Sequence, residues 1–114
     1  MKPGVWGRGR PVLLGFQTMR PGMKRSQIWS HRRILTAYAR REGFRLGQVF
    51  VQYEARPGSA LRGLIAAARR PEVTAVAVVS LSDLGRSGAA QVHILKQLEA
   101  RAGVPVRVVQ SMCR

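Results

Sequence analysis

The residues best placed to do chemistry follow an apolar stretch in the second half of the chain. Six of the seven residues in 75–81 are apolar, which predicts a strand buried on both faces, the central strand of a parallel sheet. A polar segment from Ser82 to Ser87 comes directly after it and contains Asp83 and Arg86. Because ligands in open α/β sheets bind just beyond the carboxyl ends of the strands, this segment is the first candidate for a functional site.

Two carboxylates are predicted at that edge of the sheet, Glu54 after the second strand and Asp83 after the third. Paired carboxylates can act as a general acid and a general base. The same groups can instead form ion pairs with Arg56 and Arg86, which lie close to them in the sequence. The residues leave both interpretations open.

Other kinds of site lack the spacing that they need. His31 and His93 stand alone in their segments and Cys113 lies next to the end of the sequence, so no metal-ligand pattern is present. The segment 85–88 is too short for a phosphate-binding loop, and no dinucleotide-binding glycine motif follows the first predicted strand. We therefore predict no metal ion and no cofactor, small-molecule cofactors included.

The charge of the chain is strongly unbalanced. Its 114 residues carry 20 Lys and Arg against 5 acids, a net charge of +15, and 11 of the basic residues lie in the first 45. Such a balance favours a partner that is nucleic acid, an anionic membrane or an acidic protein. An alternative is that the arginines only solvate the surface.

Compartment and size follow from simple counts. The single cysteine cannot form an intrachain disulfide, which suits a reducing cytoplasm. The longest apolar run near the N-terminus, 12–14, is too short for a signal peptide, and no stretch approaches the roughly 20 apolar residues of a membrane span. We expect a cytoplasmic protein with no membrane partner and one domain, 11–114, preceded by a flexible basic arm, 1–10.

Hydrophobic periodicity predicts four strands alternating with three helices. The strands are predicted at 12–16, 48–53, 73–80 and 104–109; the helices at 23–43, from 59 to the proline at 71, and from 87 or 88 to the glycine at 103. Ser59 is predicted to cap the second helix. This alternation indicates an α/β fold, a single three-layer domain with a mostly parallel four-stranded sheet and right-handed crossovers.

The helices are predicted to present narrow apolar faces to this sheet. The inward positions are Ile28, Ile34, Leu35, Tyr38 and Ala39 in the first helix, Leu61, Leu64, Ile65 and Ala68 in the second, and Val92, Leu95 and Leu98 in the third. Trp6 and Trp29 could stack on bases, but for Trp29 we favour a core or staple position.

The segment Leu81–Ser87 resembles a loop of the serine recombinases of the resolvase/invertase family, which has the sequence L-D-R-L-G-R-S. The resemblance extends over 12–109 through the order of elements and the Arg56-Pro57 loop before the second helix. It implies a resolvase-like fold with strand order 2-1-3-4. It also implies chemistry on DNA, in which a serine after the first strand attacks a phosphodiester and arginines stabilise the transition state.

When the family's site residues are aligned one by one with this sequence, the resemblance implies a site that lacks the nucleophile. The family's Tyr-x-Arg-x-Ser motif places Thr18 at the arginine and Arg20 at the serine, and an arginine is always protonated. Arg56 and Arg86 match family arginines, whereas the family's Asp-Arg pair falls on the segment 82–83. Ser26 or Ser30 could replace the nucleophile only through a shifted alignment.

These positions imply a degenerate resolvase-like domain that binds DNA phosphates without cutting DNA. The candidate phosphate-binding residues are Arg20, Arg56, Arg86, Ser87, Lys24, Arg25, Arg32 and Arg33, and a homodimer is a further expectation. The chain has no room for the family's long helix and helix-turn-helix, so we expect no sequence-specific synapsis by this chain alone. Two alternatives are a protein-interaction or regulatory module with no DNA role, and an active recombinase with another serine.

Overall fold

The computed structural model describes residues 10–53 and 58–110. Strands and helices alternate along the chain, with a short 3₁₀ turn after the third strand. The elements are β1 (Val12–Met19), α1 (Arg25–Glu42), β2 (Arg45–Tyr53), α2 (Ser59–Ala68), β3 (Val73–Val78), the 3₁₀ turn (Leu81–Asp83), α3 (Gly88–Ala102) and β4 (Val106–Val108). The predicted arm lies outside the described residues except for Arg10, as does the loop 54–57.

The four strands form one sheet in the order β2-β1-β3-β4, and every neighbouring pair is parallel. The predicted α/β class and the strand order are therefore confirmed. The chain crosses from β1 over one face to β2 and then returns past β1 to β3. The carboxyl ends of β1 and β3 consequently lie side by side at the centre of the sheet, where function gathers in open α/β folds.

Helices cover both faces of the sheet, which makes the domain three layers thick. Successive side chains of β1 point to opposite faces, as strand geometry requires. Leu13 packs with Leu35 and Ala39 of α1, whereas Leu14 and Phe16 pack with α2 and α3, including Leu64, Ile65 and Leu98. Burial of the sheet on both faces explains why β3 is apolar without interruption from Ala75 to its end.

α1 ends just before Gly43 and α3 just before Gly103, the glycines at which the two helices were predicted to end. Gly43 has φ 83° and Gly103 has φ 71°, the left-handed conformation that closes a helix at little cost only for glycine. Leu64, Ile65 and Ala68 of α2 are buried as predicted.

Several local predictions are wrong. The observed bounds of the last three strands, 45–53, 73–78 and 106–108, differ from the predicted 48–53, 73–80 and 104–109. β1 continues to Met19, three residues beyond its predicted end, because its last residues pair with β2. The residue that caps α2 is Gly58 and not Ser59. Val92 is 49% exposed and Trp29 is 63% exposed, so neither belongs to the core. Ile94 packs against the core beside Leu95 in place of Val92.

Strand β2 carries a bulge opposite β1. Leu13 pairs with Leu46 and Gly15 with Val49, so two steps along β1 correspond to three along β2. The extra residue lies beside Gly47, where a Cβ atom would approach a methyl carbon of β1 to 2.9 Å. Because a bulge bends its strand and leaves one residue unpaired, β2 departs here from the regular sheet.

Candidate anion-binding cleft

A cleft of about 410 Å³ lies at the carboxyl edge of the sheet. The end of β1, the end of β2, the beginning of α2 and the loop after β3 surround it. Its described lining residues are Phe16, Thr18, Arg20, Gln52, Gly58, Leu61, Asp83, Leu84, Gly85, Arg86 and Ile94. The cleft therefore has both apolar and polar buried residues in its lining, Phe16 and Asp83 among them, and two arginines reach it from separate elements.

Asp83 fastens the loop after β3 to the end of β1. Its side chain is 3% exposed and accepts hydrogen bonds from the backbone N–H of Thr18 at 3.1 Å and of Ser80 at 3.4 Å. The Thr18 hydroxyl donates in return to the carbonyl oxygen of Asp83 at 2.6 Å. The carboxylate is thus engaged with main-chain amides, a role that the sequence analysis did not include.

Arg20 crosses from β1 to the 3₁₀ turn. Its guanidinium donates to the carbonyl oxygen of Ser82, and its backbone N–H donates to the sulfur of Met23 at 3.1 Å. The side chain is partly buried and lines the cleft. These contacts fix the position of a permanent positive charge at the rim.

Arg86 is held by the close approach of its loop to α3. A Cβ atom at Gly85 would lie 2.7 Å from the Cβ of Ala90, so only glycine lets the loop pack there. The Gln91 side chain donates to the Gly85 carbonyl at 3.0 Å. Ser87 is the N-cap of α3 and accepts from the Ala90 N–H at 3.2 Å, so the predicted start of this helix is confirmed.

None of the other predicted residues is among the described residues that line the cleft. Arg56 falls in the undescribed loop 54–57. Lys24 is the N-cap residue of α1 and, like Arg33, is exposed. Arg25 and Arg32 line hollows on the α1 face of the sheet. The structure therefore brings Arg20 and Arg86 together and places Arg25 and Arg32 on another surface.

The two serines considered as replacement nucleophiles lie on α1. Both are exposed, and the Ser30 hydroxyl donates to the Ser26 carbonyl at 3.0 Å. Neither is among the described residues that line the cleft.

One polar residue of the cleft, Gln52, was not predicted from the sequence. Gln52 is near the end of β2, and its side-chain oxygen accepts from the backbone N–H of Ala60 at 3.1 Å, which attaches the beginning of α2 to the sheet. A polar residue at the carboxyl end of a predicted strand is the signal that could have identified it.

Among residues 10–53 and 58–110, no group of three or more histidine, cysteine, aspartate or glutamate side chains is placed to hold a metal ion. Within the same ranges, no helix combines the length and apolar character needed to cross a membrane.

Comparison with known proteins gives structural matches only. No protein-family profile matches the sequence, and no curated protein matches it. The C-terminal catalytic domain of ISC1926 TnpA, an IS607-like serine recombinase, matches with a TM-score of 0.71 and 18% identity over 90% of this chain and 72% of that chain. The N-terminal catalytic domain of TP901-1 integrase matches with a TM-score of 0.67 and 17% identity, over 87% of this chain and 77% of the other.

A third structure agrees with these two. The C-terminal catalytic domain of IS1535 TnpA, also an IS607-like serine recombinase, matches with a TM-score of 0.61 and 22% identity over 85% of this chain and 70% of that chain. The chain therefore has the fold of a serine recombinase catalytic domain.

Proposed function

We propose that this chain is a serine-recombinase-like domain that binds duplex DNA through its phosphates and does not cut it. The observation that carries the proposal is the convergence of Arg20 and Arg86 on one cleft at the carboxyl edge of the sheet. The planar fork of arginine can donate two parallel hydrogen bonds to a phosphate. Two such forks at one rim form a site for a single backbone phosphate.

The charge of the cleft supports an anionic ligand. Among the described lining residues, Asp83 is the only acidic one. Its carboxylate oxygens already accept hydrogen bonds from the backbone amides of Thr18 and Ser80. Arg86 is exposed and can reach a ligand without leaving a buried position. Lys24 and Arg33, both exposed, are further candidates for phosphate contacts, and Arg56 and Ser87 complete the proposed set.

The residue types argue against strand cleavage. The family resemblance places Arg20 where the nucleophilic serine would lie, and a guanidinium does not attack phosphorus. The nearest hydroxyl on β1, that of Thr18, is buried and donates to the Asp83 carbonyl. A hydroxyl held in this way is not presented to a ligand in the cleft.

Salt-dependent binding to a labelled random-sequence duplex tests the DNA proposal. We expect the logarithm of the affinity to fall linearly with the logarithm of salt concentration, by about 0.9 per phosphate contacted. Arg86→Gln should weaken binding about tenfold and reduce that slope by about 1. Arg70→Gln is the matched control, because Arg70 is exposed and lies just before β3, at the amino ends of the parallel strands and not at their carboxyl ends.

Two outcomes would contradict the proposal. Absence of binding at low salt would remove duplex DNA as a ligand and direct attention to a protein partner. Nicking of supercoiled plasmid by the wild type, lost in Ser26→Ala or Ser30→Ala, would show that the domain cuts DNA with a serine of α1.

A further inference from the structure

A second surface lies on the face of the sheet that α1 covers, and it continues along edge strand β2. Three hollows of about 360, 200 and 350 Å³ follow one another between α1 and β2. The first two share Ile28 and Trp29, and the last two share Arg32. We call this continuous depression the α1–β2 groove.

The groove exists because α1 and β2 present unequal surfaces to each other. The side of α1 that faces it carries residues at helical spacing, Arg25, Trp29, Arg32, Thr36 and Arg40. On the side of β2, the shorter side chains of Leu46, Val49 and Val51 line the hollows, and the bulge between Leu46 and Val49 interrupts regular pairing with β1. Long side chains of α1 therefore stand opposite shorter side chains of β2.

The groove is strongly positive. The described residues that line its three hollows include five arginines and no acid; the arginines are Arg10, Arg25, Arg32, Arg40 and Arg45. From Arg25 to Arg40 the helix rises about 22 Å. At about 3.4 Å per nucleotide of a stacked strand, this length corresponds to about six nucleotides.

Two exposed aromatic rings stand at one end of the groove. Trp29 is 63% exposed and Tyr53 is 49% exposed, and both line the first hollow with Arg25. Large aromatic side chains left in water are costly, but rings next to cations are the usual platform on which unpaired bases stack. Stacking of this kind is tolerant of sequence, because every base has a π-face.

The middle hollow contains an unsatisfied hydrogen-bond donor. Gln17 is 2% exposed and lines this hollow, and within the described part of the chain its side-chain nitrogen is buried without a hydrogen-bond partner. The other walls are largely apolar, with Ile28, Val49 and Val51. An apolar slot with one donor at its base fits a planar group that carries an acceptor on its edge, as every nucleobase does.

We propose that the α1–β2 groove binds single-stranded nucleic acid. One base stacks on Trp29, a base edge accepts a hydrogen bond from the Gln17 amide, and the arginines contact the phosphates. Bases in a duplex are paired and stacked, so only a single strand can present a base to the middle hollow. This inference goes beyond the proposed function, because it concerns another face of the molecule and another form of nucleic acid.

Quenching of Trp29 fluorescence by oligonucleotides tests the inference directly. The full chain would carry Trp6→Phe, so that Trp29 is the reporting ring, and it would be titrated with a ten-nucleotide oligo-dT and a ten-nucleotide oligo-U. We expect saturable quenching that weakens with salt, with a slope of about −0.7 per phosphate contacted. The two oligonucleotides distinguish DNA from RNA as the source of the strand.

Anisotropy with labelled oligonucleotide then tests the individual contacts. Trp29→Ala should weaken binding about tenfold through the loss of one stacked base, and Trp29→Phe should recover part of the affinity. Arg25→Gln should weaken binding and lower the salt slope, whereas Arg41→Gln is the matched control, being exposed on the same helix but not among the residues that line the three hollows. Gln17→Met should weaken binding while it retains the fold, as a thermal melt would verify.

The two proposals fail separately. Arg86→Gln should weaken duplex binding and leave oligo-dT binding unchanged, and Trp29→Ala should do the reverse. Equal affinity of Trp29→Ala and wild type for both oligonucleotides would overturn the groove proposal, whatever the duplex result. Quenching by poly-glutamate as strong as that by oligo-dT would also overturn it, because charge alone would then explain binding.

Discussion

Replacement of Gly85 by alanine tests the geometry that positions Arg86. The added Cβ would lie 2.7 Å from the Cβ of Ala90 and 3.2 Å from two main-chain atoms of α3, whereas carbon atoms in contact prefer about 3.5–4.0 Å. The overlap is therefore about 1 Å and involves helix backbone that cannot rotate away. Overpacking of this kind costs about 1–3 kcal/mol.

Gly88→Ala is the matched control, three residues further along at the first position of α3. No atom lies within 4 Å of a Cβ built there, and its φ is not positive. Alanine loses less conformational entropy than glycine on folding, so this variant should gain about 0.5 kcal/mol. The two substitutions add the same methyl group with opposite expected signs.

Urea denaturation followed by circular dichroism would measure both free energies of unfolding. For a chain of this size 1 kcal/mol corresponds to about 4 °C in Tm, so Gly85→Ala should melt about 4–12 °C below wild type. Its affinity for duplex DNA should also fall, because the loop must move and carry Arg86 with it. If Gly85→Ala were as stable as Gly88→Ala, the close packing of loop and helix would be refuted.

Two further predictions concern stability. Asp83→Ala should lower the free energy of unfolding by about 3 kcal/mol, because the buried amides of Thr18 and Ser80 lose a charged acceptor; a loss below about 1 kcal/mol in urea denaturation would contradict the role assigned to this carboxylate. Leu98→Ala should cost about 2–5 kcal/mol and Val92→Ala less than about 0.5 kcal/mol, since the first side chain is 0% and the second 49% exposed. Similar losses for the two variants, compared by thermal melts, would contradict the described orientation of α3.

Local sequence patterns were sufficient for most of the fold. Leu64, Ile65 and Ala68 recur at helical spacing, and Gly43 and Gly103 stop their helices through a conformation that other residues avoid. Such signals depend on neighbours within a few residues, so they can be predicted without tertiary contacts. The strand order required the family resemblance, because alternation alone fixes the class of fold and leaves the order of strands open.

The failures have tertiary causes. The first strand was predicted to end at residue 16, but β1 continues to Met19 because its last residues pair with β2 and Thr18 bonds to Asp83, 65 residues away. Trp29 was expected at a core or staple position, yet Leu35 and Ala39 fill the face of α1 that meets the sheet. Neither fact is visible in a window of sequence.

The candidate sites were likewise predicted only in part. Arg20 and Arg86 were identified from a motif, and the parallel order of β1 and β3 brings them to one cleft. The α1–β2 groove was not predicted, because residues of α1 and β2 that lie far apart in the sequence line it together. Their juxtaposition leaves no periodic trace in the sequence.

The two edges of the sheet govern how copies of this chain can meet. An open edge strand invites pairing with another strand, and proteins counter this with bulges, charges or short strands. At one edge β2 is bent by its bulge and begins with Arg45. At the other, β4 has three residues, and its central Arg107 donates to the Tyr38 hydroxyl at 3.1 Å and lies over the Phe44 ring. Both edges thus resist extension of the sheet from molecule to molecule, so a homodimer would form through helical faces, and the concentrated protein should resist strand-to-strand aggregation.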